Sequence, residues 1–248
     1  MTKKKSIGIL TLPIKSNYGG IIQCLSLYNY LQSEGHKVIL IRKVYRGSII
    51  KKFLRNLLAH NPFYKIYDIR GLAVKRIENK VLDEFISKSF PNQTKVVSTK
   101  EELSLVTNKL DVLIVGSDQV WRKAYTKNDY SNYFLDFGSK NQKLISYAAS
   151  FGTSFWEGDE ISSKNVQKLL ERFDAISVRE IDGVDICQTL GVTKDVHHVL
   201  DPVFLNDQEY YSKFLVTSNE NIKNGLFNYI LDRNPDKNNL IKKIATEL

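Results

Sequence analysis

Six short apolar runs, each closing on a cluster of polar residues, limit most strongly how this chain can fold. They are 7–12 (IGILTL), 37–41 (KVILI), 111–115 (DVLIV), 143–149 (KLISYAA), 175–178 (AISV) and 196–200 (VHHVL). Short, β-branched apolar runs of this kind read as buried strands. Between them, apolar residues recur at helical spacing. Ile21, Cys24, Leu25, Tyr28 and Leu31 give one apolar face to a helix from about Gly20 to Glu34, and Gly35 suits the position just past its end. Further helices are expected at 101–108, 163–173 and 181–190. Strand–helix–strand repeated in this way builds a parallel sheet, because parallel strands need a crossover between them. The fold class is therefore α/β, a Rossmann-like parallel sheet flanked by helices.

The rhythm breaks twice. Residues 44–90 form a basic helical insertion, with ten Lys/Arg against four Asp/Glu between Arg46 and Lys88. Such a run reads first as a solvated face. Its second reading is a peripheral contact with an anionic membrane. From about residue 206 the texture turns polar and irregular, then gives one strand (226–231) and one helix (236–248). Residues 1–205 are thus read as one domain, and 206–248 as a linker and the start of a second. One strand and one helix cannot close a core. The basic lead-in Lys3–Lys5 before 7–12 imitates a signal peptide, but Pro13 and Lys15 follow at once and no small-residue cleavage site is present, so it is read as the approach to the first strand. No apolar run reaches the roughly 18 residues of a membrane span. Cys24 and Cys187 fall in helices without framework or metal spacing, so a reducing cytoplasm is the expected setting.

Open parallel sheets bind ligands beyond the carboxyl ends of their strands. The residues just past each strand therefore make up the candidate site. The first strand leads into Ser16, Asn17, Tyr18, Gly19 and Gly20; that at 111–115 into Gly116, Ser117, Asp118, Gln119 and then Trp121; that at 143–149 into Ser150, Phe151 and Gly152; that at 175–178 into Arg179 and Glu180; and that at 196–200 into Asp201. Gly19 and Gly20 either allow a ligand to approach the helix's N–H groups or make a tight turn. Gly116 lets the chain turn sharply. Asp118 and Gln119 either hold sugar hydroxyls or cap their own loop. Arg179 offers a planar fork for phosphate or carboxylate, or pairs with Glu180 on the surface. Trp121 either stacks on a sugar ring or is core. Asp201 before Pro202 is a turn or hinge. No dinucleotide fingerprint, phosphate-binding P-loop, zinc spacing or nucleophile elbow is present. His197 and His198 are adjacent on a strand and point to opposite faces, so they cannot chelate one ion together. A net charge of +9 favours an anionic partner without choosing it, and no nucleic-acid-binding motif accompanies it.

Asn17-Tyr18-Gly19-Gly20 with Gln23, followed by Gly35-His36-Lys37-Val38, resembles the opening of the polysaccharide pyruvyl transferase family, N-Y-G-x-x-L-Q and then G-H-x-V. Gly116-Ser117-Asp118-Gln119-Val120-Trp121 is similar to that family's G-S-D-Q-x-W signature. Residues 146–152 (SYAASFG), Ser177-Val178-Arg179-Glu180 and Leu200-Asp201-Pro202 follow in the family's order. Ile22 stands where leucine is usual, and Glu180 where aspartate is common. The resemblance implies the first half of a GT-B-like architecture of two Rossmann-like domains. It implies transfer of pyruvate from phosphoenolpyruvate to a sugar of a cell-surface polysaccharide or exopolysaccharide precursor, forming a ketal and releasing phosphate. No cofactor or metal is implied beyond that donor. Arg179 is the expected contact for the donor's anionic groups, and Asn17, Gly19, Gly20, Gln23, Gly116, Ser117, Asp118, Gln119 and Ser150 line the cleft. The catalytic histidine is expected in the second domain, so none of His36, His60, His197 and His198 is nominated, and the chain as it stands is expected to be truncated and inactive. Two other readings share the scaffold: a glycosyltransferase using a nucleotide-sugar donor, and a non-catalytic binding protein.

Overall fold

In the computed structural model, residues 3–14, 17–45, 80–215, 226, 228, 230 and 234–247 are described. Six strands form one sheet: β1 (Ser6–Leu10), β2 (Lys37–Leu40), β3 (Val112–Val115), β4 (Lys143–Ala149), β5 (Ala175–Val178) and β6 (Val196–His198). All pairings are parallel, in the order β2-β1-β3-β4-β5-β6. β1 pairs with β2 on one side and with β3 on the other, Leu10 standing beside Val115. The chain thus winds outward in opposite directions from the β1–β3 boundary, which makes this the topological switch point, where α/β sheets open a crevice.

The central strand β3 is apolar and buried throughout because both its faces are covered, whereas the edge strand β6 reads Val-His-His and is largely exposed. Leu10, Leu113 and Val115 pack with Trp121, Phe134, Leu170 and Phe173 on one face. Ile7, Ile9, Val112 and Ile114 pack with Leu25, Tyr28 and Phe90 on the other. Each such side chain contributes about 1.5–3 kcal/mol when fully buried.

Helix α1 (Tyr18–Ser33) starts two residues before the expected Gly20 because Asn17 caps it, its Oδ1 accepting from the Gly20 N–H at 3.1 Å. It ends in a Schellman turn: the Gly35 N–H donates to Gln32 O at 2.9 Å and the His36 N–H to Leu31 O at 3.2 Å. Gly35 has φ +85°, a left-handed conformation that costs a side chain but not a glycine. Residues 80–89 are helical, while the rest of the expected insertion, 46–79, lies outside the described residues. Helix α2 (Lys100–Thr107) opens with a capping box between Thr99 and Glu102. A short helix α3 (Lys123–Thr126) and a 3-10 segment (Lys127–Phe134) fill the stretch after β3, where the sequence pattern predicts no element. Helix α4 (Glu160–Leu170) begins three residues before the expected 163, because Asp159 caps it by accepting from the Ser162 N–H at 2.8 Å. Helix α5 (Ile181–Thr189) agrees with expectation to within a residue.

The compact first unit runs from Met1 to Asp207 and the second from Gln208 to Leu248. A 3-10 turn, Pro202–Leu205, closes the first unit, and the Asn206 side-chain amide donates to Ser26 O at 3.1 Å. In the second unit, helices α6 (Gln208–Ser212) and α7 (Pro235–Glu247) contain no buried residue. Residues 226, 228 and 230 carry no strand, and the remainder of the strand expected at 226–231 lies outside the described residues. Among the described residues no helix is long and apolar enough to cross a membrane.

At the amino-terminal edge of the sheet, Asp111 staples β1 to β3. Its carboxylate accepts from the Ser6 N–H at 2.7 Å and the Ser6 hydroxyl at 2.8 Å. These bonds, with Lys5 and Lys3 nearby, hold its pKa below the ordinary value against a smaller effect of burial. A carboxyl with a lowered folded pKa adds stability above its unfolded pKa and loses it as pH falls through the folded one. The melting temperature is therefore expected to fall on acidification from about pH 4 downward, near the free aspartate value. Asp111→Asn should fall less steeply, and melting curves over a pH series check this.

Candidate functional site

Beyond the carboxyl ends of β1, β2 and β3, at the switch point, lies an open cavity of about 480 Å³. Leu12 and Pro13 from the loop after β1, Asn17 and Gly20 at the start of α1, Tyr45 after β2 and Asp118 after β3 line it. Tyr125 and Lys127 of the unexpected helical stretch close another side. The cavity has apolar and aromatic walls carrying a few polar groups, the usual composition of a small-molecule site.

Asp118 stands at the centre of this arrangement. Its φ is +89°, a conformation rare for a residue with a side chain, so the chain makes its sharp turn here and not at Gly116, whose φ is not positive. Gly116 is buried and extends the ladder, its N–H donating to Leu10 O at 2.8 Å. The backbone of Asp118 continues towards β4, its carbonyl accepting from the Ser150 N–H at 3.1 Å. Oδ1 accepts from the Gln119 N–H at 2.8 Å, while among the described residues Oδ2 accepts only from the Asn17 amide, at 3.5 Å. Burial raises the pKa of this carboxyl above its ordinary value and Asp201 adds to the rise, against the opposing pull of the Gln119 N–H and Arg179.

A second polar cluster adjoins it. Arg179, at the end of β5, donates from Nη1 to Asp201 Oδ2 at 3.1 Å and to Ser117 Oγ at 3.3 Å, and from Nε to Glu180 Oε1 at 2.8 Å. Ser117 itself donates to Asp201 Oδ2 at 2.8 Å. Asp201 also caps the Pro202–Leu205 turn, accepting from the Val203 N–H through Oδ1 at 3.1 Å. Burial opposes the Arg179 charge, but Glu180 and Asp201 outweigh it and hold its pKa above the ordinary value. Its side chain remains 27% exposed, and Nη2 makes no hydrogen bond to a described residue. The ion pair with Glu180 thus exists, and one edge of the guanidinium stays open to a further anion.

The structure brings Asn17, Gly20 and Asp118 together at the cavity and links Ser117 and Arg179 beside them. Gly19 is exposed at the helix start. Other residues named from the sequence sit deeper. Gln23 is buried, its Nε2 donating to Thr11 Oγ1 at 3.2 Å and Gly20 O at 2.8 Å, so it supports the loop from beneath. Ser150 is fully buried, and its Oγ accepts from the Gly152 N–H at 3.0 Å. Lining the cleft is thus a poor description of Gln23, Gly116, Ser117 and Ser150, because all four are buried and none lines the cavity. Gln119 Oε1 accepts from Arg122 at 3.1 Å. Trp121 is core: it is 1% exposed, stacks on Phe134 with centroids 5.1 Å apart, and donates from Nε1 to Tyr133 O at 2.9 Å. Tyr45, Tyr125 and Lys127 escape a reading of the sequence alone. Tyr45 does carry a signal, since it lies shortly after the end of β2, on the same edge as the other clusters. Tyr125 and Lys127 carry none, since they come from helical turns inside a long connection. The floor near Tyr45 is set by Lys43, whose side chain is wholly buried and pairs with Asp129 at 2.8 Å, its Nζ 5.6 Å from the Tyr45 and Tyr133 ring centres.

A parallel α/β sheet whose conspicuous polar residues gather at its carboxyl edge, around the switch point, defines a Rossmann-like ligand-binding protein. The chain belongs to the polysaccharide pyruvyl transferase family, whose model matches residues 17–248. No curated protein sequence gives a significant match. Among solved structures, the chain is similar to an alpha-glucosyltransferase in complex with UDP and a 13-mer DNA containing an HMU base, at 12% identity and a TM-score of 0.42, over 80% of this chain and 43% of that one. It is also similar to an alpha-glucosyltransferase in complex with UDP-glucose and DNA containing an abasic site, at 12% identity and 0.41, over 81% and 43%. The chain therefore spans 43% of the length of these enzymes, and a likeness at this level says nothing of activity.

Proposed function

We propose that the protein transfers pyruvate from phosphoenolpyruvate to a sugar hydroxyl pair of a surface-polysaccharide precursor, forming a cyclic ketal and releasing phosphate. Family membership supports the class of reaction. The observation that carries the residue assignment is Arg179, a partly open guanidinium at the carboxyl edge beside Ser117 and Asp118. Such a fork fits a donor bearing both carboxylate and phosphate. A donor anion would meet its open Nη2 edge first, then compete with Glu180 and Asp201 for the rest.

The cavity at the switch point is the place for the acceptor. Tyr45 and Tyr125 give it aromatic lining against which a sugar could pack, and Asn17 and Asp118 offer hydrogen-bond partners to its hydroxyls. The complete enzyme would carry a second Rossmann-like domain across a cleft, in the GT-B manner, with the acid that protonates the donor's enol carbon 3. It would work on the cytoplasmic side of the membrane, where such precursors are built. The test is to mix the full-length protein with phosphoenolpyruvate and a panel of sugar acceptors bearing free vicinal or 1,3-diols. Phosphate release together with an acceptor mass gain matching a pyruvate ketal is expected. Phosphate release only when a nucleotide sugar is supplied would sink the proposal.

A further inference from the structure

Asp118 has a geometry that hydroxyl binding alone does not require. Its backbone sits at φ +89°, so the surrounding structure holds an unfavourable conformation in place. The turn fixes Oδ1 on the Gln119 N–H at 2.8 Å and leaves Oδ2 with one long contact, 3.5 Å from the Asn17 amide. Residue 20 is glycine, and a Cβ there would stand 2.9 Å from that same Oδ2. The same Cβ would stand 3.0 Å from the Asn17 amide nitrogen, so the glycine gives room both to the Asn17 cap and to this oxygen, which has no strong partner among the described residues. Asp118 itself lines the cavity.

Resting on the pyruvyl transfer proposed above, we infer that Asp118 is the general base that deprotonates the acceptor hydroxyl. In that step the donor's carbon 3 has taken a proton from the enzyme's acid, leaving carbon 2 electron-poor. The acceptor oxygen bonds to carbon 2, its O–H bond breaks, and the proton passes to Asp118 Oδ2. The second hydroxyl then bonds to carbon 2 as the carbon–oxygen bond to phosphate breaks. Phosphate leaves with that electron pair and takes up the second hydroxyl's proton. The proton on Asp118 returns to solvent, replacing the one that carbon 3 gained. Partial burial suits the role, because a base drawn upward from the ordinary aspartate value accepts a proton more readily.

The test uses the full-length protein, phosphoenolpyruvate and the same acceptor panel, with Asp118→Asn and Asp118→Gly. Asparagine keeps an acceptor for the Gln119 N–H, and glycine adopts the backbone angle without strain. Both variants are expected to melt no lower than wild type, and both should lose about 10²–10⁴-fold in kcat with little change in the KM for phosphoenolpyruvate. Added formate should restore part of the rate to Asp118→Gly and none to Asp118→Asn, because only the glycine variant leaves room for a small carboxylate. Ketal formation within about threefold of wild type in a folded Asp118→Asn would overturn the inference while leaving the pyruvyl transfer intact. Loss of rate in Asp118→Gly that formate does not relieve would also overturn it. A wild-type protein that makes no ketal would instead remove the reading on which the inference rests.

Discussion

Replacing Arg179 with alanine in the full-length protein is expected to cut phosphoenolpyruvate-dependent phosphate release by about 10²–10³-fold, the usual cost of removing one preorganised charge-stabilising group. The loss should appear in donor binding as well. The guanidinium is the point where the end of β5, Ser117 and the start of the Pro202–Leu205 turn meet. Removing it therefore also leaves the Asp201 carboxylate with the Ser117 hydroxyl and the Val203 N–H but no cation among the described residues. That should destabilise the first unit by about 1–3 kcal/mol. Arg179→Lys keeps the charge but not the planar fork, and should recover stability better than donor affinity. Titration calorimetry with phosphoenolpyruvate, alongside thermal melts of the three proteins, separates the two effects. If Arg179→Ala binds the donor as wild type does, the donor assignment is wrong, whatever happens to stability.

Trp121→Ala is expected to have the largest effect on stability. The indole stacks nearly parallel to Phe134, 8° from coplanar, meets Phe151 at 5.1 Å, and presents an edge to Phe173 at 6.3 Å. Its backbone N–H also donates to Ser150 O at 3.0 Å, tying the loop after β3 to the segment after β4. Truncation leaves a large cavity in the aromatic core and the Tyr133 carbonyl without its donor. The expected loss is about 3–5 kcal/mol, a substantial part of the roughly 5–15 kcal/mol that stabilises a domain. Trp121→Phe should lose clearly less, since it refills most of the volume. Urea denaturation of the three proteins checks this. A loss under about 1 kcal/mol for the alanine variant would reopen the reading of Trp121 as a sugar platform.

The strands were legible because their physics is local. Val112–Val115 is apolar at every position, and both its faces turn out to be covered. Asn17 and Asp159 show where periodicity falls short. Each is a capping side chain that starts its helix two or three residues before the apolar spacing does, and apolar spacing alone does not register a cap. The order of the polar clusters along the carboxyl edge was also legible, since every parallel strand ends on the same side. Which of these residues reach a ligand was not. Gln23 carries the same amide as Asn17, and Ser150 is a polar residue past a strand end as Asp118 is, and only packing turns the first pair inward. Trp121 is the same lesson in an aromatic residue. The cavity wall formed by Tyr125 and Lys127 depends on helical turns in a long connection, whose course no short-range pattern dictates.

Pyruvyl transfer at this edge makes one chemical demand that alternatives do not share: the bond broken in the donor joins carbon 2 to the bridging oxygen, not that oxygen to phosphorus. Phosphoenolpyruvate carrying heavy oxygen at the bridging position, turned over by the full-length protein with a sugar acceptor, reads this directly by mass spectrometry. The heavy oxygen should leave entirely with the released phosphate, and the ketal should contain none. Phosphate without the label, or no phosphate at all, would contradict the account.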